Sequence, residues 1–118
     1  MEVFCSSPWV PVEWIRAHGF DARGVWSATL GPAGAASEGV CAVARQLADF
    51  PKAHPDAAVI FTTACDQMRR AADAAAGRHP RVFLFNLPAT WQTPAARRLY
   101  HNEVERLGRF LLDRKSVV

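Results

Sequence analysis

Three cysteines, at positions 5, 41 and 65, have the most chemistry to offer in this sequence. They are odd in number, widely spaced and free of any CxxC pair. A disulfide framework, a zinc ribbon or a redox dithiol is therefore not expected. What remains is free thiols or thiolate metal ligands. Cys65 is the best placed of the three. It lies in Val59-Ile60-Phe61-Thr62-Thr63-Ala64-Cys65-Asp66-Gln67-Met68-Arg69-Arg70, where a β-branched and aromatic run gives way to helical spacing at Met68, Ala71, Ala72 and Ala75. The pattern predicts a buried strand, a polar turn and a helix start. A helix N-terminus favours thiolate over thiol. In open α/β sheets ligands bind beyond the carboxyl ends of the strands, which is where this turn falls. Thr63 and Asp66 have the spacing of a capping box that would fix it.

The surrounding elements can be read in order. Val3-Phe4-Cys5-Ser6-Ser7 predicts the opening strand. Pro8 and Pro11 punctuate a turn, and Pro11 suits the first position of a helix from Val12 to His18 that would carry Trp14 and Ile15 to the core and end at Gly19. A second strand is expected around Val25 and Trp26. The small-residue loop from Gly31 to Ala36 has neither GxGxxG nor GxxxxGK[ST] spacing, so no dinucleotide fingerprint or P-loop is present. A helix from Val40 to about Phe50 follows, with Cys41 in its first turn. Arg81 to Leu87 is the clearest strand; its nearly continuous apolar run predicts cover on both faces. Thr93 and Pro94 read as N-cap and N1 of a last helix running to about Arg114, with a stripe of Tyr100, Val104, Leu107 and Leu111. Alternating strands and helices predict a three-layer α/β fold, a parallel sheet of about four strands with helices on both faces, of the Rossmann or flavodoxin-like kind.

The bulk numbers bound the function. The chain has 118 residues, half of them hydrophobic and 21% charged, which suits one domain over residues 1–118 with a real core. The net charge of +3 comes from scattered basic residues without interleaved aromatics, so no nucleic-acid surface is expected; a small anionic ligand such as a nucleotide or a CoA ester suits the same charge. No apolar run approaches a membrane span, and the amino terminus lacks the basic start of a signal peptide. A cytoplasmic protein is expected. The four histidines have no ligand spacing between them, and Trp9 and Trp91 border turns where they could cover the sheet edge or a partner surface.

The cysteine-bearing turns resemble a family. The chain is similar to the amino-terminal domain of the 2-hydroxyacyl-CoA dehydratase and benzoyl-CoA reductase family, in subunits of the D-component type. Pro11-Val12-Glu13-Trp14-Ile15-Arg16-Ala17-His18-Gly19 resembles the family's early Pro-Glu-Glu-Leu…Ala-Gly segment, with Val12 replacing the first glutamate. Cys41 falls where the family has its first cluster cysteine. Cys65-Asp66-Gln67-Met68-Arg69-Arg70 resembles its Cys-Asp-x-x-(Lys/Arg) turn. Val82 to Pro88, followed by Tyr100-His101-Asn102-Glu103-Val104-Glu105-Arg106-Leu107, resembles its strand-Pro segment and Tyr-x-x-Glu-Leu helix.

The resemblance implies a [4Fe–4S] cluster held by three cysteines with one open iron, and Cys41 and Cys65 match the first two ligands. It also implies an acyl-CoA substrate, an ATP-dependent activator protein that injects one electron, and radical loss of water or ring reduction. The family's third cysteine comes from a second domain, and this chain has no cysteine after Cys65. The third ligand is expected from a second subunit, from a carboxyl-terminal domain missing from this chain, or from Cys5. Ser6 or Ser7 would lie near the open iron by the same resemblance. Cys5 otherwise reads as a strand residue, Glu13 as a solvated or capping residue, Asp66 as an N-terminal helix charge, and Arg69 and Arg70 as a solvated face or a contact for CoA phosphates. On this reading the chain is an incomplete component of such an enzyme; the alternative is a cluster-free α/β interaction module or a non-catalytic remnant of the family.

Overall fold

The computed structural model describes residues 1–7, 9–24, 54–64 and 66–116, with side chains through 113. Its strands are β1 (Glu2–Cys5), β2 (Asp21–Gly24), β3 (Ala58–Thr62) and β4 (Val82–Phe85). Its helices are α1 (Val12–Ala17), α2 (Asp66–Ala76) and α3 (Pro94–Ser116). The strands form one parallel sheet in the order β2-β1-β3-β4.

Side-chain alternation divides the strands between two apolar layers, as the pleat requires. Val3, Cys5, Ala58, Ile60, Phe83 and Phe85 share one cluster with Ile15 of α1 and with Leu107 and Leu111 of α3. Phe4, Val59 and Phe61 share the other with Ala71, Ala72 and Ala75 of α2. Helices thus cover both faces, and β3 is buried along its whole length. The small alanines of α2 let that helix lie close against the sheet. The stripe of α3 is as expected, with Leu107 and Leu111 fully buried and Tyr100 and Val104 packed at their flanks.

The boundaries differ from expectation in instructive places. Pro11 is the N-cap of α1 rather than its first helical residue; its fixed φ suits either position, and its carbonyl accepts the N–H groups of Trp14 and Ile15. Trp14 does not enter the core. Ile15 takes that position with no exposure, while Trp14 is 39% exposed and lies edge-on to His18 at 4.9 Å. The six-residue helix has one fully buried position, which the branched aliphatic side chain of Ile15 fills, while Val12 packs half-buried against the same cluster. Gly19 closes the helix at φ 90°, the left-handed conformation that favours glycine, and its N–H reaches Arg16 O at 2.9 Å. The second strand begins earlier than expected, at Asp21. Val25, Trp26, the loop from Gly31 to Ala36 and the helix from Val40 to Phe50 lie outside the described residues. Among the described residues no helix is long and apolar enough to cross a membrane.

Candidate functional site at the carboxyl edge of the sheet

All strands being parallel, their carboxyl ends lie along one edge, and three exit turns meet there. β1 leaves through Ser6 and Ser7, β3 through Thr63 and Ala64, and β4 through Asn86 and Leu87. A cleft of about 480 Å³ opens at this edge, lined among others by Trp9, Thr63, Ala64, Arg69, Leu87 and Trp91. Its position is the usual ligand crevice of open α/β sheets, and its size is within the range of small-molecule sites.

Each turn is held by specific bonds. Ser6 N–H extends the ladder to Ile60 O at 3.0 Å, and Ser7 Oγ accepts Trp9 N–H at 3.3 Å. Tyr100 Oη, from α3, donates to Trp9 O at 3.3 Å. The Tyr100 ring stands edge-on to Phe85 at 5.6 Å and to Trp91 at 5.0 Å, and Trp91 lies 5.9 Å from Trp9. Burial and the nearby Glu13 carboxylate both raise the Tyr100 pKa, so its hydroxyl remains a donor.

Thr63 does not act as a helix cap. Its hydroxyl accepts Leu87 N–H at 2.9 Å, because β4 runs alongside and presents that donor as the chain turns away. Thr93, by contrast, is the expected N-cap of α3, its hydroxyl accepting Ala96 N–H at 3.1 Å.

Beneath the β4 exit lies a charged group to which the sequence pattern alone assigns no role. Glu103 is buried and accepts Asn86 N–H at 2.8 Å and Asn86 Nδ2 at 3.3 Å. It also accepts two bonds from Arg106, at 2.9 Å each. Arg106 in turn donates to Leu84 O and stacks 4.1 Å from the Phe83 ring centre. Burial pushes the Glu103 carboxyl up, but the bonds and charge of Arg106 together with the Asn86 donors outweigh it. They hold the carboxyl below its ordinary value. The available signal was its spacing: Glu103 stands on the apolar stripe, three residues after Tyr100 and four before Leu107, with an arginine three residues on.

Of the sequence-derived ligand positions, Cys41 and Cys65 lie outside the described residues. Cys5 ends β1, paired to Gly24 and Ile60, with no exposure and inside the core cluster. Burial pushes its thiol up to about 12, offset only in part by the charge of Arg16, so it is a protonated core thiol rather than a thiolate. Ser7 is also buried, its hydroxyl engaged in its own turn. The described donor set therefore does not by itself fit an iron–sulfur cluster, and among the described residues no three His, Cys, Asp or Glu side chains converge on a metal position. Asp66, Arg69, Arg70 and Glu13 are exposed. His79 is structural, with Nε2 donating to Pro55 O at 3.1 Å and Nδ1 accepting Arg81 N–H at 3.1 Å.

Taken together, these features define an open parallel α/β domain whose described exit turns build a cleft at the carboxyl edge of the sheet. The chain belongs to the 2-hydroxyglutaryl-CoA dehydratase D-component family, whose model matches residues 9–115. Cys41, Cys65, Tyr100 and Glu103 fall inside the matched span; Cys5 and Ser7 precede it. No curated protein matches the chain.

Proposed function

We propose that this domain is a component of a 2-hydroxyacyl-CoA dehydratase or benzoyl-CoA reductase-type enzyme acting on acyl-CoA thioesters in the cytoplasm, with Cys41 and Cys65 as two thiolate ligands of a [4Fe–4S] cluster. The observation that carries this reading is the family match over residues 9–115. The position of Cys65 in the chain supports it, between the end of β3 at Thr62 and the start of α2 at Asp66. When bound, such a cluster supplies one-electron chemistry that side chains cannot. The residues of this chain supply the thiolates, the cleft wall and the turns that fix them. Because Cys5 is a protonated core thiol, the remaining ligand comes from a second subunit or a carboxyl-terminal domain. An ATP-dependent activator delivers the electron.

The test is anaerobic reconstitution with iron and sulfide, read by iron content and visible absorption, with and without a co-purified partner subunit. The expected result is a cluster in the complex that is lost in Cys41→Ser and Cys65→Ser and kept in Cys5→Ser. Retention of the cluster in a Cys41→Ser/Cys65→Ser double variant would overturn the ligand assignment. An iron-free complex would make the chain an interaction module instead.

A further inference from the structure

The hydrogen-bond ladder between β3 and β4 does not stop where the strands stop. Thr63 N–H donates to Phe85 O at 3.1 Å, one step beyond the last register pair, Thr62 with Phe85. In a continuing parallel ladder the next donor, Leu87 N–H, would meet the carbonyl of Thr63. The Thr63 hydroxyl takes that bond instead, at 2.9 Å, as the backbone swings toward α2. Asn86 N–H is held by Glu103 Oε2 at 2.8 Å. Two consecutive backbone donors at the root of the β4–α3 connection are thus held by side chains, one from each neighbouring element. On the other side of the joint, Thr62 Oγ1 lies 3.4 Å from Ala64 N as its acceptor, which ties the next residue of the β3 exit back to its strand.

We propose that Thr63 is a positioning residue for the carboxyl-edge site: its hydroxyl locks the exit turn of β3 to the exit turn of β4 and so sets the mouth of the cleft between Ala64 and Leu87. The inference rests on the reading of this edge as the functional one, and it deepens that reading by naming what holds the edge in shape. Both cleft walls depend on the same bond. Ala64 and Arg69 follow Thr63 on one wall, while Leu87 and Trp91 belong to the other. An acceptor at this point must project past the end of the strand. Serine and threonine have a short enough arm to accept there; valine has the shape of threonine without the acceptor.

Amide hydrogen exchange by NMR on the full chain tests it, comparing Thr63→Val and Thr63→Ser with the wild type. Loss of one half-buried hydrogen bond corresponds to about five- to tenfold faster exchange at Leu87. That change is expected in Thr63→Val with Ile60 and Phe61 unchanged, and Thr63→Ser should return Leu87 to within about twofold of the wild type. Equal acceleration at Leu87 and Ile60 would mean general loosening and would overturn the positioning role. So would failure of serine to restore protection. If Thr63→Val does not fold, the wild-type Leu87 amide still decides: protection beyond the strand end supports the lock, and free exchange sinks it. A wild-type complex without iron would fail the functional reading alone, because the amide pattern is read without any cluster.

Discussion

Replacing Glu103 by glutamine probes how the carboxyl edge is held. The side chain is 9% exposed and its partner Arg106 41%, so this is a half-buried pair and its strength lies between surface and interior values. Glutamine keeps one oxygen for Asn86 N–H but loses the charge-assisted bonds from Arg106. Hydrogen bonds to a charged group contribute roughly 1.5–3 kcal/mol each, and the exposed side of Arg106 can turn to water. The expected cost is therefore about 2 kcal/mol, or a drop in Tm of about 8 °C for a domain of this size. Glu103→Ala also leaves Asn86 N–H without its acceptor and should cost about 3–4 kcal/mol. The pH dependence gives the sharper test. The folded carboxyl is held below its ordinary value of 4.5, so its stabilisation is fully present above about 4.5 and is lost as pH falls through the lower, folded value. Urea denaturation followed by circular dichroism from pH 7 to pH 3 should show the two proteins about 2 kcal/mol apart at neutral pH and converging below 4.5. A gap that stays constant across that range would show that the carboxylate charge is not what holds the edge.

Other consequences are open to simpler measurements. Cys5→Ser places a hydroxyl in an apolar cluster and should cost about 1–3 kcal/mol, whereas Cys5→Ala should cost less; urea midpoints decide. The Cys5 thiol, pushed up to about 12, should resist alkylation in the native chain at pH 8 and react only on unfolding, as mass spectrometry of the labelled peptide would show. Gly108→Ala should stabilise α3 by about 0.5–1 kcal/mol, because the new methyl would meet Trp14 and His18 at an ordinary 3.5 Å; a lower Tm would show that the indole cannot accommodate it. Gly19→Ala forces a side chain into φ 90° and should lower stability by about 1 kcal/mol, read as a lower Tm.

How much of this was legible in the sequence depended on whether the responsible force was local. β3 and β4 could be read because a strand covered on both faces must be apolar nearly throughout, and the α3 stripe because helical burial repeats every three to four residues. Trp14 misled because hydrophobicity does not say which of two adjacent apolar residues a short helix turns inward; that choice is made by the sheet beneath Ile15. Thr63 misled for a different reason. Its spacing to Asp66 is local and visible, but the donor that claims its hydroxyl is Leu87, 24 residues away, and parallel pairing brings the two together only once the sheet forms. Glu103 is the intermediate case. Its place on an apolar stripe with Arg106 following marks it as a buried carboxylate, but nothing local names Asn86 as the donor it serves. Strand-turn-helix order can be read from the sequence because it is local. The side chains that shape the carboxyl edge are set by pairing across the sheet, and so they emerge only from the fold.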